Sequence, residues 1–389
     1  MVDAGYTNER TLPDTRRSVV VFRLQLFKPS ETFVVAQART YARYDPIYVG
    51  LKRFGEAPDD AAVVCPRLTP VQKIGFLLGK VGPITRALPT APAVVHAHFA
   101  VDAVFALPLA LHYRVPLIVT LHGFDVTTRL GEWLRSGKPA LMLAALRRRR
   151  LQRRATRFLA VSDAIRSIAV ARGFPAERTD VAYLGIDLSR FVPSPTPSSR
   201  LIVHVGRLVE KKGTYDLLSA FATVAKRLPD ARLTIAGDGP LLASLRDHAT
   251  RLGIDAAVTF AGARTHAEVV ELMHAAQVIA VPSVTAASGD REGLPTVILE
   301  AAALGRAVVA TRHSGIPESV VDGATGLLVD ERDPAALALA LIETLADPAR
   351  ARAMGEAARR LVEDRFDARR LTAALEARYD DIITGHAAR

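Results

Sequence analysis

The chain has 389 residues, 49% of them hydrophobic and 23% charged. That is the composition of a soluble globular protein, and the length favours two cores over one. A single cysteine, Cys65, excludes an internal disulfide. The opening "MVDAGYTNERTLPDTRRSVVVF" carries acids and a proline where a secretory signal needs an apolar core. The apolar stretch "AVFALPLALHYRVPLIVTL" is broken by His112, Arg114 and two prolines, which reads as helix, turn and strand, not a membrane span. The net charge of +11 is uneven: 28 Lys and Arg against 15 Asp and Glu in residues 1–199 (+13), and 23 against 25 in residues 200–389 (−2).

In chain order, the first half offers strands at "SVVVFRL", "PAVVHAH", "PLIVTLHG" and "TRFLAVS", with helices such as "ETFVVAQARTYARY" and "VDAVFALPLALHY" between them. "RRRRLQRRATR" then places seven arginines between Arg147 and Arg157. It reads either as a solvated helix face or as a surface for anionic lipid or a phosphate-rich ligand. Nucleic acid is disfavoured, because no recognised nucleic-acid motif accompanies it. "FVPSPTPSSR", with three prolines and three serines, marks a hinge. The second half alternates more cleanly: strands "LIVHVG", "RLTIAGDG", "AVTFAG", "QVIAVPS" and "RAVVAT" are separated by helical runs, and the chain is helical from "DPAALALALIETL" onward. Such βα alternation specifies parallel sheets covered by helices. The expectation is an α/β chain of two doubly wound domains whose ligand sits between strand carboxyl ends.

Several residues fall at those ends. "EGLPTVILEAAALG" sets Pro295 at the start of a helix whose free N–H groups suit a diphosphate. Glu300 lies among apolar residues about two turns on from Glu292, and burying a carboxylate demands a partner. A vicinal diol such as ribose, a structural salt bridge, or a helix rotated toward solvent would each account for it. "VGRLVEKKG" puts Arg207 and Lys212 on a strand-to-helix loop, able to clamp a diphosphate or to sit as solvated cations. "AGDGP" is a Gly-rich turn without a full dinucleotide fingerprint. His96 and His98 of "HAHF" share a strand face and read as a core or cleft-lining pair, not a metal site. His122 in "TLHGFD" ends a strand, where a site role is favoured.

"EGLPTVILEAAALGRAVVATRHSGIPESVVDGATGLLV" resembles the hallmark segment of the family-four retaining glycosyltransferases of GT-B fold, whose Glu, seven residues, Glu signature is met by Glu292 and Glu300. "VGRLVEKKG", "IAGDGP", "LAVSDAIRSIAVARG" and "YLGIDLSRF" match further blocks in order, so the resemblance covers nearly the whole chain. "FKPSETFVVAQ", "HAHFA" and "TLHGFDV" resemble the bacterial exopolysaccharide branch, such as colanic acid biosynthesis.

The resemblance implies two Rossmann-like domains facing across a cleft: 1–192 on the acceptor side, a hinge at 193–199, a donor-binding domain at 200–365, and a terminal helix at 366–389 that can pack back on the first domain. It implies metal-independent transfer, with retention, of a sugar from a nucleotide-diphosphate sugar to a saccharide or lipid-linked hydroxyl. It implies no cofactor. Catalytic roles would fall to His122, Arg207, Lys212 and Glu292. Gly206, Arg264, Thr265, Gly293, Leu294, Pro295, Thr296 and Glu300 would bind the nucleotide sugar, Glu300 through ribose hydroxyls. Ser30, Glu31, Thr32, His98 and Asp125 would lie toward the acceptor. Many relatives have a Gly-rich turn after the first strand. Here it is "LFKPSETF", so acceptor identity does not carry over. A nucleotide-sugar epimerase or a non-catalytic nucleotide-sugar binder are the alternatives. The epimerase lacks its own acid/base motif, and the binder does not need both His122 and Glu292. The expected location is the cytoplasm, at the inner face of the plasma membrane if the basic half meets anionic lipid.

Overall fold

A computed structural model describes residues 16–28, 31–58, 61–197 and 199–387. In the first half, one sheet is built from β1 (Arg17–Phe22), β2 (Tyr44–Val49), β3 (Ala62–Val64), β4 (Val94–His98), β5 (Leu117–Leu121), β6 (Arg157–Ala160) and β7 (Thr179–Val181), beside a separate short pair, Gln25–Leu26 and Lys52–Arg53. The sheet is parallel, in the order β3-β2-β1-β4-β5-β6-β7. The second half contributes β8 (Leu201–Val205), β9 (Arg232–Ala236), β10 (Val258–Gly262), β11 (Val278–Val281), β12 (Ala307–Thr311) and β13 (Gly326–Val329). Their order is β10-β9-β8-β11-β12-β13, again parallel. In both sheets the order reverses beside the first strand, which opens a crevice at the carboxyl edge.

Central strands explain the apolar runs. Val19, Val20, Val21 and Phe22 of β1 are fully buried, because helices cover both faces of a parallel sheet. Val20 is in register with Ile47 on one side and Val95 on the other. The apolar core of the first half continues across the seam into Leu294 and Ile298 of the second.

The terminal helical run is broken twice. Helices Pro334–Ala346 and Pro348–Arg365 are divided at Asp347, and Phe366 ends the second before the Ala368–Ala387 helix. Asp347 both ends one helix and caps the next, accepting from the Arg350 amide. The chain then crosses back. Ile186 donates to Phe366 O at 2.8 Å and accepts from Ala368 N at 3.0 Å. A β-carbon on Gly185 would stand 2.4 Å from Ala368 Cα, so no larger residue fits this crossing. The last helix lies on the first sheet. Glu376 accepts from the amides of Ala42 and Arg43 at 2.9 and 2.8 Å, and the buried Tyr379 hydroxyl meets Tyr41 Oη at 2.9 Å and His96 Nδ1 at 2.5 Å.

Candidate active site

The two carboxyl edges face each other and touch. A β-carbon on Gly293 would lie 2.1 Å from the carbonyl oxygen of His122, and one on Gly315 would lie 2.3 Å from the Gly293 oxygen. No side chain fits at Gly293. Hydrogen bonds cross it: Arg291 N donates to Thr127 Oγ1 at 3.0 Å, Arg129 N to Ser288 O at 3.2 Å, and Ser162 Oγ to Gly293 O at 3.3 Å. Glu318, of the second half, accepts from the Asp163 and Ala164 amides at 2.8 and 3.1 Å and from the Tyr183 hydroxyl at 3.0 Å. It thereby caps the helix Asp163–Ala171 of the first half.

The helix that carries Glu300 runs Thr296–Ala303, one residue later than the sequence suggests: Pro295 is its N-cap, not its first turn. Gly293, Leu294 and Pro295 are buried beneath the seam, and Thr296 opens the helix. Glu292 precedes it and meets Lys212 Nζ at 3.1 Å and Lys211 Nζ at 3.9 Å. Burial works against the carboxylate, but these ammonium groups outweigh it and bring it down to about 2. Glu292 is therefore ionised at every physiological pH.

Glu300 contrasts with it. Among the described residues no hydrogen bond or ion pair reaches its carboxylate. Burial pushes it up to about 7, with the more distant Arg190 and Lys212 cations pulling the other way. Among the described residues no structural salt bridge accounts for it, and the residue is only partly exposed.

Lys212 closes a 3-10 turn, Glu210–Lys212, after β8. Gly213 follows with φ +64°, and a β-carbon there would fall 1.7 Å from Pro282 O. The lysine stem lies over Gly206, where a β-carbon would meet Lys212 Cε at 3.0 Å. Arg207, on the same loop, is exposed. The AGDGP turn packs behind this loop, since a β-carbon on Gly237 would strike Gly206 O at 1.9 Å. Arg264 and Thr265 sit at the carboxyl end of β10. Arg264 pairs with Glu268 at 3.0 Å, and Thr265 is half of a capping box, its hydroxyl accepting from the Glu268 amide. The Thr265 hydroxyl is thus committed to the helix end.

In the first half, His122 lies between the rings of Phe33 and Phe99, with centroids at 4.8 and 4.4 Å. Its Nε2 is 3.1 Å from Nδ1 of His98. Burial, with Arg23 and His96 adding to it, holds the His122 ring well below its usual range, so it is neutral. The residues expected toward the acceptor differ in exposure. His98 is fully buried behind His122, because β4 lies inside the sheet. Asp125 is also fully buried, and its oxygens accept from the amides of Ala100 (2.7 Å), His122 and Gly123 (both 3.0 Å). It shapes the loop that carries His122. Glu31 is tied to Arg23 and Lys28. Thr32 is exposed at the start of its helix, and Ser30 lies outside the described residues.

The sequence reading missed Lys211, Arg190 and the buried Arg23, which donates to Asp102 at 2.5 Å and lies 4.2 Å from the Phe99 ring centre. It also missed His313 and Glu331. "EKK" and "RHSGIPE" were in view, but nothing in their spacing tells which polar residue turns inward.

Two family models match successive parts of the chain: Glycosyltransferase Family 4 over residues 31–190 and Glycosyl transferases group 1 over residues 186–361. The chain belongs to these glycosyltransferases. Among curated relatives of this glycosyltransferase-family chain, a putative colanic acid biosynthesis glycosyltransferase, WcaL of Escherichia coli, is 35% identical over 65% of the chain and 61% of its own length. A GDP-mannose-dependent alpha-(1-6)-phosphatidylinositol monomannoside mannosyltransferase of Mycolicibacterium smegmatis is 40% identical over 47% of the chain and 51% of its own. The matches thus span about half to three fifths of those relatives' length. The crystal structure of Anabaena Alr3699/HepE in complex with UDP and glucose superposes with a TM-score of 0.75 at 22% identity, covering 93% of this chain and 99% of that one. The fold is GT-B.

Proposed function

We propose that the chain transfers a sugar, with retention and without a metal, from a nucleotide-diphosphate sugar to a hydroxyl of a saccharide or lipid-linked acceptor in cell-surface polysaccharide biosynthesis. The observation that carries this is Glu300: a largely buried carboxylate with no protein partner among the described residues, little more than one turn from a helix N-terminus and within the field of Lys212. Two ribose hydroxyls donating to its oxygens supply the missing partner. The relatives named above, one GDP-mannose-dependent and one assigned to colanic acid biosynthesis, support the donor class and the pathway class.

In this reading the diphosphate lies against the Thr296 helix end between Arg207 and Lys212. The sugar lies toward Glu292 and His122. The acceptor oxygen attacks the anomeric carbon from the leaving-group face, the bond from that carbon to the diphosphate oxygen breaks, and the acceptor proton passes to a phosphate oxygen. The cations and helix end stabilise the departing charge, which is the role a metal plays elsewhere. Neutral His122 accepts or donates one hydrogen bond to the sugar without adding charge at the cationic carbon.

Two experiments test this. UDP-, GDP- and ADP-sugars are screened for protection against thermal unfolding, where a bound donor at a hundred times its Kd adds about 2.7 kcal/mol. The anomeric configuration of the product is then read by NMR, in excess EDTA. Protection by none of the donors, an inverted product, or loss of transfer restored by magnesium each counts against the reading.

The acceptor side is placed at the inner face of the plasma membrane, with support from the first half's charge and from one helix. Among the described residues no helix is long and apolar enough to cross a membrane. The helix Pro70–Leu77 and its cap, however, leave Val71, Ile74 and Leu78 exposed by 79, 60 and 67%, at the spacing of one helix face. Arg147 donates to Leu77 O and so joins this helix to Pro139–Arg154, which exposes Leu146, Arg149, Arg150, Arg153 and Arg154. Apolar stripe and cations together suit an anionic bilayer surface.

A further inference from the structure

We infer that His313 is a positioning residue: held by Glu331, it fixes the backbone of Glu292 and thereby the point at which that carboxylate meets the donor sugar. The inference rests on the donor role proposed for Glu292.

His313 follows β12 at the sheet's carboxyl edge and is fully buried. Its Nε2 lies 3.0 Å from the amide nitrogen of Glu292, and its Nδ1 lies 2.7 Å from Oε1 of Glu331. The chemistry of the two ends fixes the proton. An amide N–H only donates, so Nε2 must accept, and the ring proton is on Nδ1, donated to the carboxylate. Glu331, after β13, also accepts from the Thr285 amide at 2.7 Å and the Thr285 hydroxyl at 3.3 Å. Thr311, at the end of β12, donates to Ser283 O at 2.5 Å. The loops after β11, β12 and β13 are thus tied to one another, and the one free end of the tie is the Glu292 amide. The Glu292 side chain is already held by Lys212 and Lys211. Backbone and carboxylate together leave that residue little freedom.

Only the neutral ring makes this contact. A proton on Nε2 would set two donors face to face at 3.0 Å, and the loop carrying Glu292 and Gly293 would have to give way. Burial holds the ring below its usual range against the pull of Glu331 and Glu292, with Arg291 adding to the lowering. The charged groups around it are Glu331 on one side, and Glu292 with its partners Lys211 and Lys212, Asp290 and Arg291 on the other.

The test compares His313→Ala and His313→Gln with Glu292→Gln and the wild type. The probe is UDP-glucose or GDP-mannose, whichever protects the wild type more, with release of the nucleoside diphosphate as readout. His313→Ala should lower kcat at least tenfold while affinity for the bare nucleoside diphosphate stays within twofold. His313→Gln places an amide oxygen near the Nε2 position, so it should recover most of kcat and move the acidic limb of the pH profile to lower pH. Wild-type protein labelled with nitrogen-15 on histidine should show the Nδ1–H tautomer for His313. Normal kcat in His313→Ala, equal loss of nucleotide affinity and turnover in both His313 variants, or an Nε2–H tautomer overturns the inference. Normal turnover in Glu292→Gln overturns instead the donor role on which it rests.

Discussion

Glu292 and Glu300 stand eight residues apart, and their surroundings push them in opposite directions. Glu292, brought down to about 2 by two lysines despite its burial, contributes stability that is present above the ordinary carboxylate range and lost as pH falls toward 2. Glu300, pushed up to about 7 by burial, does the reverse. Its ionisation costs stability as pH rises from about 4.5, and the loss is complete above about 7. Glu300→Gln should therefore unfold at a higher temperature than wild type at pH 8, by at most about 3 kcal/mol, and the two should converge below pH 4.5. Calorimetry across that range checks it; a variant less stable than wild type at pH 8 contradicts the unpartnered carboxylate. Lys212→Ala should keep the fold, since its stem only covers Gly206, but should cut transfer at least tenfold. It removes one contact of roughly 1.5–3 kcal/mol to the leaving diphosphate and one partner of Glu292. Near-normal initial rates in this variant would remove Lys212 from the chemistry.

At the scale of elements, strand-to-helix alternation was legible because β-branched runs and helical spacing differ in period, and most strands of both sheets were anticipated. Four strands were not: β3, β7 and β13 are three or four residues long with little periodicity to read, and β2 begins at Tyr44, where the predicted helix "ETFVVAQARTYARY" was carried too far. Nor was the direction of each arginine in "RRRRLQRRATR". Arg148 faces inward, buried with its guanidinium 5.0 Å from the Phe174 ring centre, and burial brings it down to about 10. A helix turns 100° per residue, so four consecutive arginines cannot share one face. The apolar half of the proposed membrane surface was hidden for a similar reason: nothing in the spacing of "TPVQKIGFLLG" tells that Phe76 takes the core position, stacked on Phe105, while Ile74 points outward. Replacing Val71, Ile74 and Leu78 with serine should reduce co-sedimentation with phosphatidylglycerol-containing vesicles several-fold, even at low salt. Replacing Arg149, Arg150, Arg153 and Arg154 with glutamine should remove the salt-sensitive part, about 1 kcal/mol for each cation near the surface. Wild-type protein that ignores such vesicles at low ionic strength argues for a soluble acceptor.

At the scale of the whole molecule, the sequence pointed to two doubly wound domains and a proline-rich hinge, and its resemblance to a terminal helix able to pack back on the first domain, but not to the residues that make the second crossing, Gly185–Ile186 and Phe366–Ala368, nor to the contacts between the two carboxyl edges. Those contacts are backbone against backbone, as at Gly293 and His122, or depend on a single side chain reaching across, as with Glu318. Neither kind leaves a periodic trace. Glu318→Ala strips the amides of Asp163 and Ala164 of their acceptor, a loss of roughly 0.5–2 kcal/mol. It should widen the cleft, seen as a larger radius of gyration in solution scattering, with the donor KM raised and the fold intact. An unchanged radius and KM would show that the seam closes without it. The cleft itself is best probed through the ligand that its buried carboxylate calls for. Binding of the preferred nucleoside diphosphate and of its 2′,3′-dideoxy analogue is measured by calorimetry to wild type and to Glu300→Ala. Wild type should prefer the natural nucleotide by about ten- to a hundredfold, one or two charge-assisted hydrogen bonds' worth, and Glu300→Ala should bind both alike. Equal affinity of the wild type for the two nucleotides, or a preference that survives in Glu300→Ala, would contradict a ribose at Glu300 and with it the nucleotide-sugar site.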